Sequence, residues 1–143
     1  MTADGDAGLT LIEMIIVLAI IALVAALIVP NVIGRPDQAR VTVARADLKS
    51  IAAALKMYRL DNGDYPTTEQ GLAALVTRPT VPPLPAAYAT GGYLAQTPAD
   101  PWGRPYVYRS PSADGGGFDL ASLGRDGKPG GSGIDADIAE SGR

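Results

Sequence analysis

The 143-residue chain contains no cysteine and no histidine. Without cysteine there is no disulfide, no thiolate metal site and no cysteine nucleophile; without histidine there is no imidazole base, imidazole ligand or Ser-His-Asp relay. Most hydrolytic chemistry is excluded on those two grounds. Aromatics are scarce, with one Trp and one Phe beside six Tyr. Basic residues are few as well: 12 Lys and Arg against 15 Asp and Glu give a formal net charge of -3. The 12 are scattered, which leaves no basic stripe for a phosphate backbone, so nucleic acid is not an expected partner. The length bounds the chain to one small domain plus one extra element.

The mean hydropathy of +0.13 is unevenly spread. Met14 to Val29 is a run of 16 consecutive apolar residues, and it reaches back through Leu9, Leu11 and Ile12 with only Thr10 and Glu13 interrupting. As helix, Leu9 to Val29 would be roughly 32 Å long, enough to cross a hydrocarbon core of about 30 Å. The run is too long for a secretory signal peptide, and Pro30-Asn31 follows it instead of a small-residue cleavage site. A retained membrane anchor is therefore expected.

Glu13 is the residue that does not belong there, because a carboxylate in the membrane is costly unless it snorkels to the headgroups or finds a partner. No Lys or Arg occurs from Met1 to Ile33. Only a main-chain amine could pair with it. A cut between Gly8 and Leu9 would create such an amine four residues before Glu13, in the same chain or in a neighbour packed in register. From the residues alone, both the snorkelling and the paired reading stay open.

Gly8-Leu9-Thr10-Leu11-Ile12-Glu13 ahead of the apolar run resembles the processing signal of type IV pilins and pseudopilins. That family usually has Phe after the cut, where this chain has Leu9. Three further stretches narrow the likeness: Leu60 to Leu72, Pro98 to Tyr106, and Ser122 to Gly127 with Asp135 to Ile138. Together they resemble the major pseudopilins of the type II secretion system, the general secretion pathway protein G family, across nearly the whole chain from Gly8 to Ile138.

The resemblance implies an α+β, type IV pilin-like fold, with a long N-terminal helical spine and a small head of a short helix, a loop and an antiparallel β-hairpin or sheet. It implies that a prepilin peptidase removes residues 1–8, that Leu9 is then N-methylated, and that Glu13 pairs with the amine of an adjacent subunit. Residues 9–34 would be the transmembrane and assembly helix, with Pro30 where such spines kink or melt, and 35–143 the periplasmic domain. The implied function is the major subunit of a periplasmic fibre that drives export of folded proteins, not an enzyme. The implied partners are further copies, minor pseudopilins, an inner-membrane assembly platform and secreted proteins. The charges alone argue for the opposite orientation, since the leader carries Asp4 and Asp6 while Arg35, Arg40, Arg45 and Lys49 follow the run. A natural start upstream, bringing Lys or Arg, would reconcile the two. Rival readings are a type IV pilin of a surface fibre and a membrane-anchored calcium-binding protein that never polymerises.

From 37 to 62, Val41, Ala44, Leu48, Ile51, Leu55 and Tyr58 recur at spacings of three and four. This predicts an amphipathic helix closed by Asn62-Gly63. With the membrane run it would make a spine of about 80 Å if continuous. Thr67 with Gln70 fits a capping box, so a short helix is expected over 68–77. Pro79, Pro82, Pro83 and Pro85 then predict an irregular loop over 78–97, read as a solvated connector or a subunit contact. Tyr106 to Ser110 and Phe118 to Ser122 alternate and are joined by Asp114-Gly115-Gly116-Gly117, which predicts a hairpin laid against the amphipathic helix. Trp102 is expected as a plug in the core.

Leu123 to Ile138 holds Asp126, Asp135 and Asp137 among glycines. Such a stretch is either an acidic, flexible tail or a source of hard oxygen ligands, which suit calcium over zinc or copper. It is no EF-hand, and Gly130 to Asp135 matches only the start of one nonapeptide calcium repeat. The resemblance adds a calcium site in this loop, where many type IV pilins have a disulfide. Its expected ligands are the side chains of Asp126 and Asp137, with Asp135 or Ser132, and the carbonyls of Leu123 and Lys128. Three nearby carboxylates would repel without a cation, so the loop is expected to order on binding.

Overall fold

The computed structural model describes residues 8–32 and 35–143. It divides into two compact units, 1–36 and 37–143, each treated by itself.

The first unit is helix α1, Leu11–Val32. Its sequence is apolar on every face, and the window Leu11–Ile28 has a mean hydropathy of 3.1 with none of it buried within the chain. Leu11 is 80% exposed and Leu23 67%, where a water-soluble helix of this composition would be covered. The helix is long and apolar enough to cross a membrane.

The second unit is organised by α2, Arg35–Asn62. The expected stripe faces inward: Ala44, Leu48, Ile51, Leu55 and Tyr58 are buried, and Val41 packs at the margin. The end is an αL cap, because Gly63 takes φ +91° and its N–H donates to the Arg59 carbonyl at 2.7 Å. Against this stripe lies an antiparallel sheet in the order β1-β2-β3, formed by Val107–Arg109, Phe118–Ser122 and Ile138–Gly142. Tyr108 is opposite Leu120, and Ser122 is opposite Ile138. On β2, Phe118, Leu120 and Ser122 point into the core and alternate with half-buried Asp119 and Ala121.

The structure adds one element and corrects two expectations. The third strand begins where the expected β region and loop of 98–138 end and runs to Gly142, a stretch for which no element was expected, because Ile138-Ala139-Glu140-Ser141-Gly142 has one large apolar side chain and no alternating signal. The expected helix over 68–77 is only the 3₁₀ turn Leu72–Leu75. Its capping box does form, with Thr67 N–H on Gln70 Oε1 at 3.0 Å and Gln70 N–H on Thr67 Oγ1 at 3.2 Å. Gly71 then takes φ +62° and ends the α-helical path, and the shorter turn still buries Leu72, Ala74 and Leu75. Nor is the proline-rich segment a loose connector. Tyr88 meets the rings of Tyr58 and Tyr93 edge-on, Tyr93 lies tilted against Tyr58, the Tyr93 and Leu94 N–H groups donate to the Leu75 carbonyl, and Gln70 Nε2 donates to the Val81 and Pro83 carbonyls.

Trp102, expected in the core, is half-buried at its edge, with its Nε1 buried and unpaired among the described residues. Burial pushes the Tyr106 phenol well above its ordinary value, helped by Asp47, which accepts its hydroxyl at 3.1 Å. Burial does the same to Tyr108, whose hydroxyl donates to the Pro66 carbonyl at 2.7 Å.

Candidate functional site

The expected site residues fall at two places in the chain, the start of α1 and the loop between β2 and β3. Residues 8–10 precede the helix and are exposed, and among the described residues nothing beyond its chain neighbour lies within 4 Å of where a Cβ on Gly8 would sit. The Gly8–Leu9 bond is thus in non-helical, uncovered chain, the form in which a peptidase can take it.

Glu13 is held by Thr10. The Thr10 N–H donates to Glu13 Oε2 at 3.0 Å, the Thr10 hydroxyl reaches the same oxygen at 3.2 Å, and the Glu13 N–H donates back to Thr10 Oγ1 at 3.3 Å. This is a capping box, which supplies partners for helix-start donors that would otherwise have none in lipid. The expectation of a carboxylate waiting for an amine overlooked it, although the Thr-x-x-Glu spacing is its signature. Both bonds received fall on Oε2, so Oε1 is the oxygen placed to accept a further donor. Pro30 lies within α1, two residues before its end, so the bond its missing N–H cannot donate is among the last of the helix.

The C-terminal loop does not use its carboxylates as a set of three. Arg125 holds both oxygens of Asp135, Nε to Oδ1 at 2.8 Å and Nη2 to Oδ2 at 2.9 Å. The same guanidinium lies 3.8 Å from Asp37 in the first turn of α2, which Arg40 also reaches at 3.2 Å. Asp135, expected among the ligands, is thereby a structural ion pair that ties the loop to α2. The bidentate fork makes it a directional one. Asp126 Oδ1 accepts the Lys128 N–H at 3.0 Å, and Asp137 Oδ2 accepts the Gly130 N–H at 2.9 Å. Each pins a turn with one oxygen and keeps the other. Ser132 sits at the start of a 3₁₀ turn, Gly133–Asp135, and makes no side-chain cap. Among the described residues, no group of three or more Asp, Glu, His or Cys converges.

The donor set remaining to the loop is all oxygen: Asp126, Asp137, Ser132 and the carbonyls of Leu123 and Lys128. Oxygen donors of this kind suit a hard cation such as calcium over zinc or copper, and two of them are carboxylates. The glycines allow the carbonyls to turn. Gly124, at φ +68°, lies so close to the carbonyls of Asp135 and Ala136 that a Cβ would come within 2.8 Å of both.

Comparison with known proteins agrees on one family. Residues 31–141 match the family described as Type II secretion system (T2SS), protein G, and residues 4–29 match the prokaryotic N-terminal methylation motif. The chain is 58% identical over 133 residues to the type II secretion system core protein G of Pseudomonas aeruginosa, covering 93% of each chain. It is 47% identical over 131 residues to that of Vibrio cholerae, covering 92% of this chain and 88% of the other. Its structure is similar to the crystal structure of the major pseudopilin from the type 2 secretion system of enterohaemorrhagic Escherichia coli, with a TM-score of 0.66 and 44% identity over 77% of this chain and 89% of that one.

Proposed function

From the premise that the chain belongs to the type II secretion system protein G family, the major pseudopilins, we propose how its two sites work in building a pseudopilus. A prepilin peptidase cuts between Gly8 and Leu9 and the new amine is methylated. The chain then stands in the inner membrane through α1, with residues 35–143 in the periplasm. Subunits leave the membrane one at a time, and their α1 surfaces exchange lipid for one another. Glu13 Oε1 accepts the Leu9 amine of a neighbour, which sets the register of each added copy, while Pro30 lets the helix adjust near its end. The work comes from a separate ATPase, since this chain has no phosphate-binding loop. Growth of the fibre, with minor pseudopilins and an assembly platform as partners, pushes folded proteins toward the outer membrane.

The observation that carries this reading is a membrane-length helix, uncovered on all sides, that keeps a carboxylate in its first turn. Intact mass of the chain purified from cells with the secretion machinery tests it. The expected product lacks residues 1–8, carries one methyl group on Leu9, and pellets as fibres. Monomer that keeps Gly8 under those conditions would overturn the reading.

We further propose that Asp126, Asp137 and Ser132, with the carbonyls of Leu123 and Lys128, hold a calcium ion. Bound calcium supplies a fixed positive charge that neutralises the two carboxylates and closes the loop ahead of β3. A ligand bound only by the folded form, at 100 times its Kd, stabilises it by about 2.7 kcal/mol. Thermal unfolding of the full chain in detergent, in millimolar calcium and then in excess chelator, should therefore differ by several degrees. Asp126→Asn should remove the difference. Equal midpoints would return the loop to a calcium-free turn held by Arg125.

A further inference from the structure

Asp100 is a carboxylate for which the assembly mechanism has no use, and it is only 5% exposed. No cation pairs with it among the described residues. Its charge is instead met by three donors: Trp102 N–H at 3.1 Å and Arg104 N–H at 2.8 Å on Oδ1, and the Ser122 hydroxyl at 3.0 Å on Oδ2. Ser122 is 1% exposed and its oxygen in turn accepts the Gly124 N–H at 3.3 Å. The turn itself is closed by Asp100 N–H on the Arg104 carbonyl at 2.7 Å and Gly103 N–H on the Asp100 carbonyl at 2.9 Å.

The same turn reaches the loop a second time. Arg104 Nη1 donates to the carbonyls of Gly124 at 3.1 Å and Arg125 at 3.0 Å. A third approach is at Gly127, where a Cβ would come within 2.6 Å of the Arg104 guanidinium and where φ is +66°. The five residues from Asp100 to Arg104 therefore dictate the course of the loop at Ser122–Gly124, at Arg125 and at Gly127. Two of the oxygen donors named above lie between these fixed points: the Leu123 carbonyl between Ser122 and Gly124, and Asp126 between Arg125 and Gly127. By taking the carbonyls of Gly124 and Arg125, Arg104 also removes them from the donor set.

We propose that Asp100, Arg104 and Ser122 are positioning residues that preset the C-terminal loop for a calcium ion, holding the Leu123 carbonyl and Asp126 in place before the ion arrives. The inference rests on the calcium reading of the loop. Its physical basis is that groups behind a metal's ligands govern affinity by orienting them, and their loss commonly weakens binding by about 10- to 100-fold. A buried carboxylate with three donors and no cation is directional, since it can be satisfied in one arrangement of the two segments only.

The test is calcium chloride titrated calorimetrically into the full chain in detergent micelles, after chelation, for wild type, Ser122→Ala, Ser122→Thr and Arg104→Lys. Ser122→Ala removes the link to Asp100, Ser122→Thr keeps the hydroxyl, and Arg104→Lys keeps the charge but loses the fork across two carbonyls. The expected result is a Kd raised about tenfold or more in Ser122→Ala and Arg104→Lys, with Ser122→Thr close to wild type. A merely structural role would instead lower the thermal midpoint in chelator and leave the Kd alone. Unchanged Kd values in both variants, with wild type binding one ion, would overturn this inference and leave the calcium reading standing. No binding by wild type would overturn the calcium reading, and this inference with it.

Discussion

Glu13→Ala in the full chain is expected to insert and to be processed like wild type, and to yield about 1% or less of the wild-type fibre. In the fibre the side chain would meet the Leu9 amine of a neighbour in surroundings free of water. Removing one member of a buried ion pair costs about 3–5 kcal/mol, because the other is left charged and unpaired. A loss of that size at each added subunit is a factor of 100 or more in the assembly constant. The capping box complicates the variant, since Ala also frees the Thr10 N–H that Glu13 holds at 3.0 Å. Glu13→Gln separates the two effects. A Gln side chain can still accept that N–H through its amide oxygen, so the helix start is kept while the charge is lost. Fibre lost in both variants, measured by pelleting with equal membrane levels of processed subunit, is the pairing result. Fibre restored by Gln would assign Glu13 to capping alone.

The second large effect is expected at Phe118, the one Phe in the chain. It is fully buried on the central strand, with the Tyr65 ring edge-on at 4.9 Å and Tyr108 tilted at 6.3 Å. Across β2 and β3 it is opposite Gly142, and the ring packs over that glycine where any side chain would collide. Phe118→Ala removes the ring and leaves a cavity that three separate segments cannot close. Burial of this kind is worth about 3–5 kcal/mol, which at about 4 °C per kcal/mol is a fall of more than 10 °C in the midpoint. Leu60→Ala is the matching control, since Leu60 lies on α2 with 79% of its surface exposed and should shift stability by no more than about 0.5 kcal/mol. Differential scanning calorimetry of the two variants checks the contrast. A Phe118→Ala midpoint within a degree or two of wild type would mean that the sheet does not hold the core as described.

Much of this was legible beforehand because its causes are local. A run of 16 apolar residues needs no tertiary context to be read as membrane-length helix. The three-four spacing from Val41 to Tyr58 places one face inward in any fold that buries it, and that face is the buried one. Alternation over Phe118 to Ser122 works in the same way. The box between Thr10 and Glu13 is equally local, because Thr-x-x-Glu is its signature.

What the sequence determined by itself is the membrane helix, the amphipathic helix with its glycine cap, and the hairpin: elements whose signal is a repeat or a turn chemistry within about 20 residues. The tertiary structure decided the rest. Strand β3 exists because β2 offers it a free edge, not because Ile138-Ala139-Glu140-Ser141-Gly142 favours extended chain. Gly71 ended a helix whose cap was in place, since the 3₁₀ turn buries Leu72 and Leu75 where a longer helix would carry the chain onward. Asp135 became an ion-pair partner and not a free ligand because Arg125, ten residues away, was brought to its side. In each case the deciding interaction joins residues distant along the chain or on opposite sides of a turn, and a contact of that kind has no period to read.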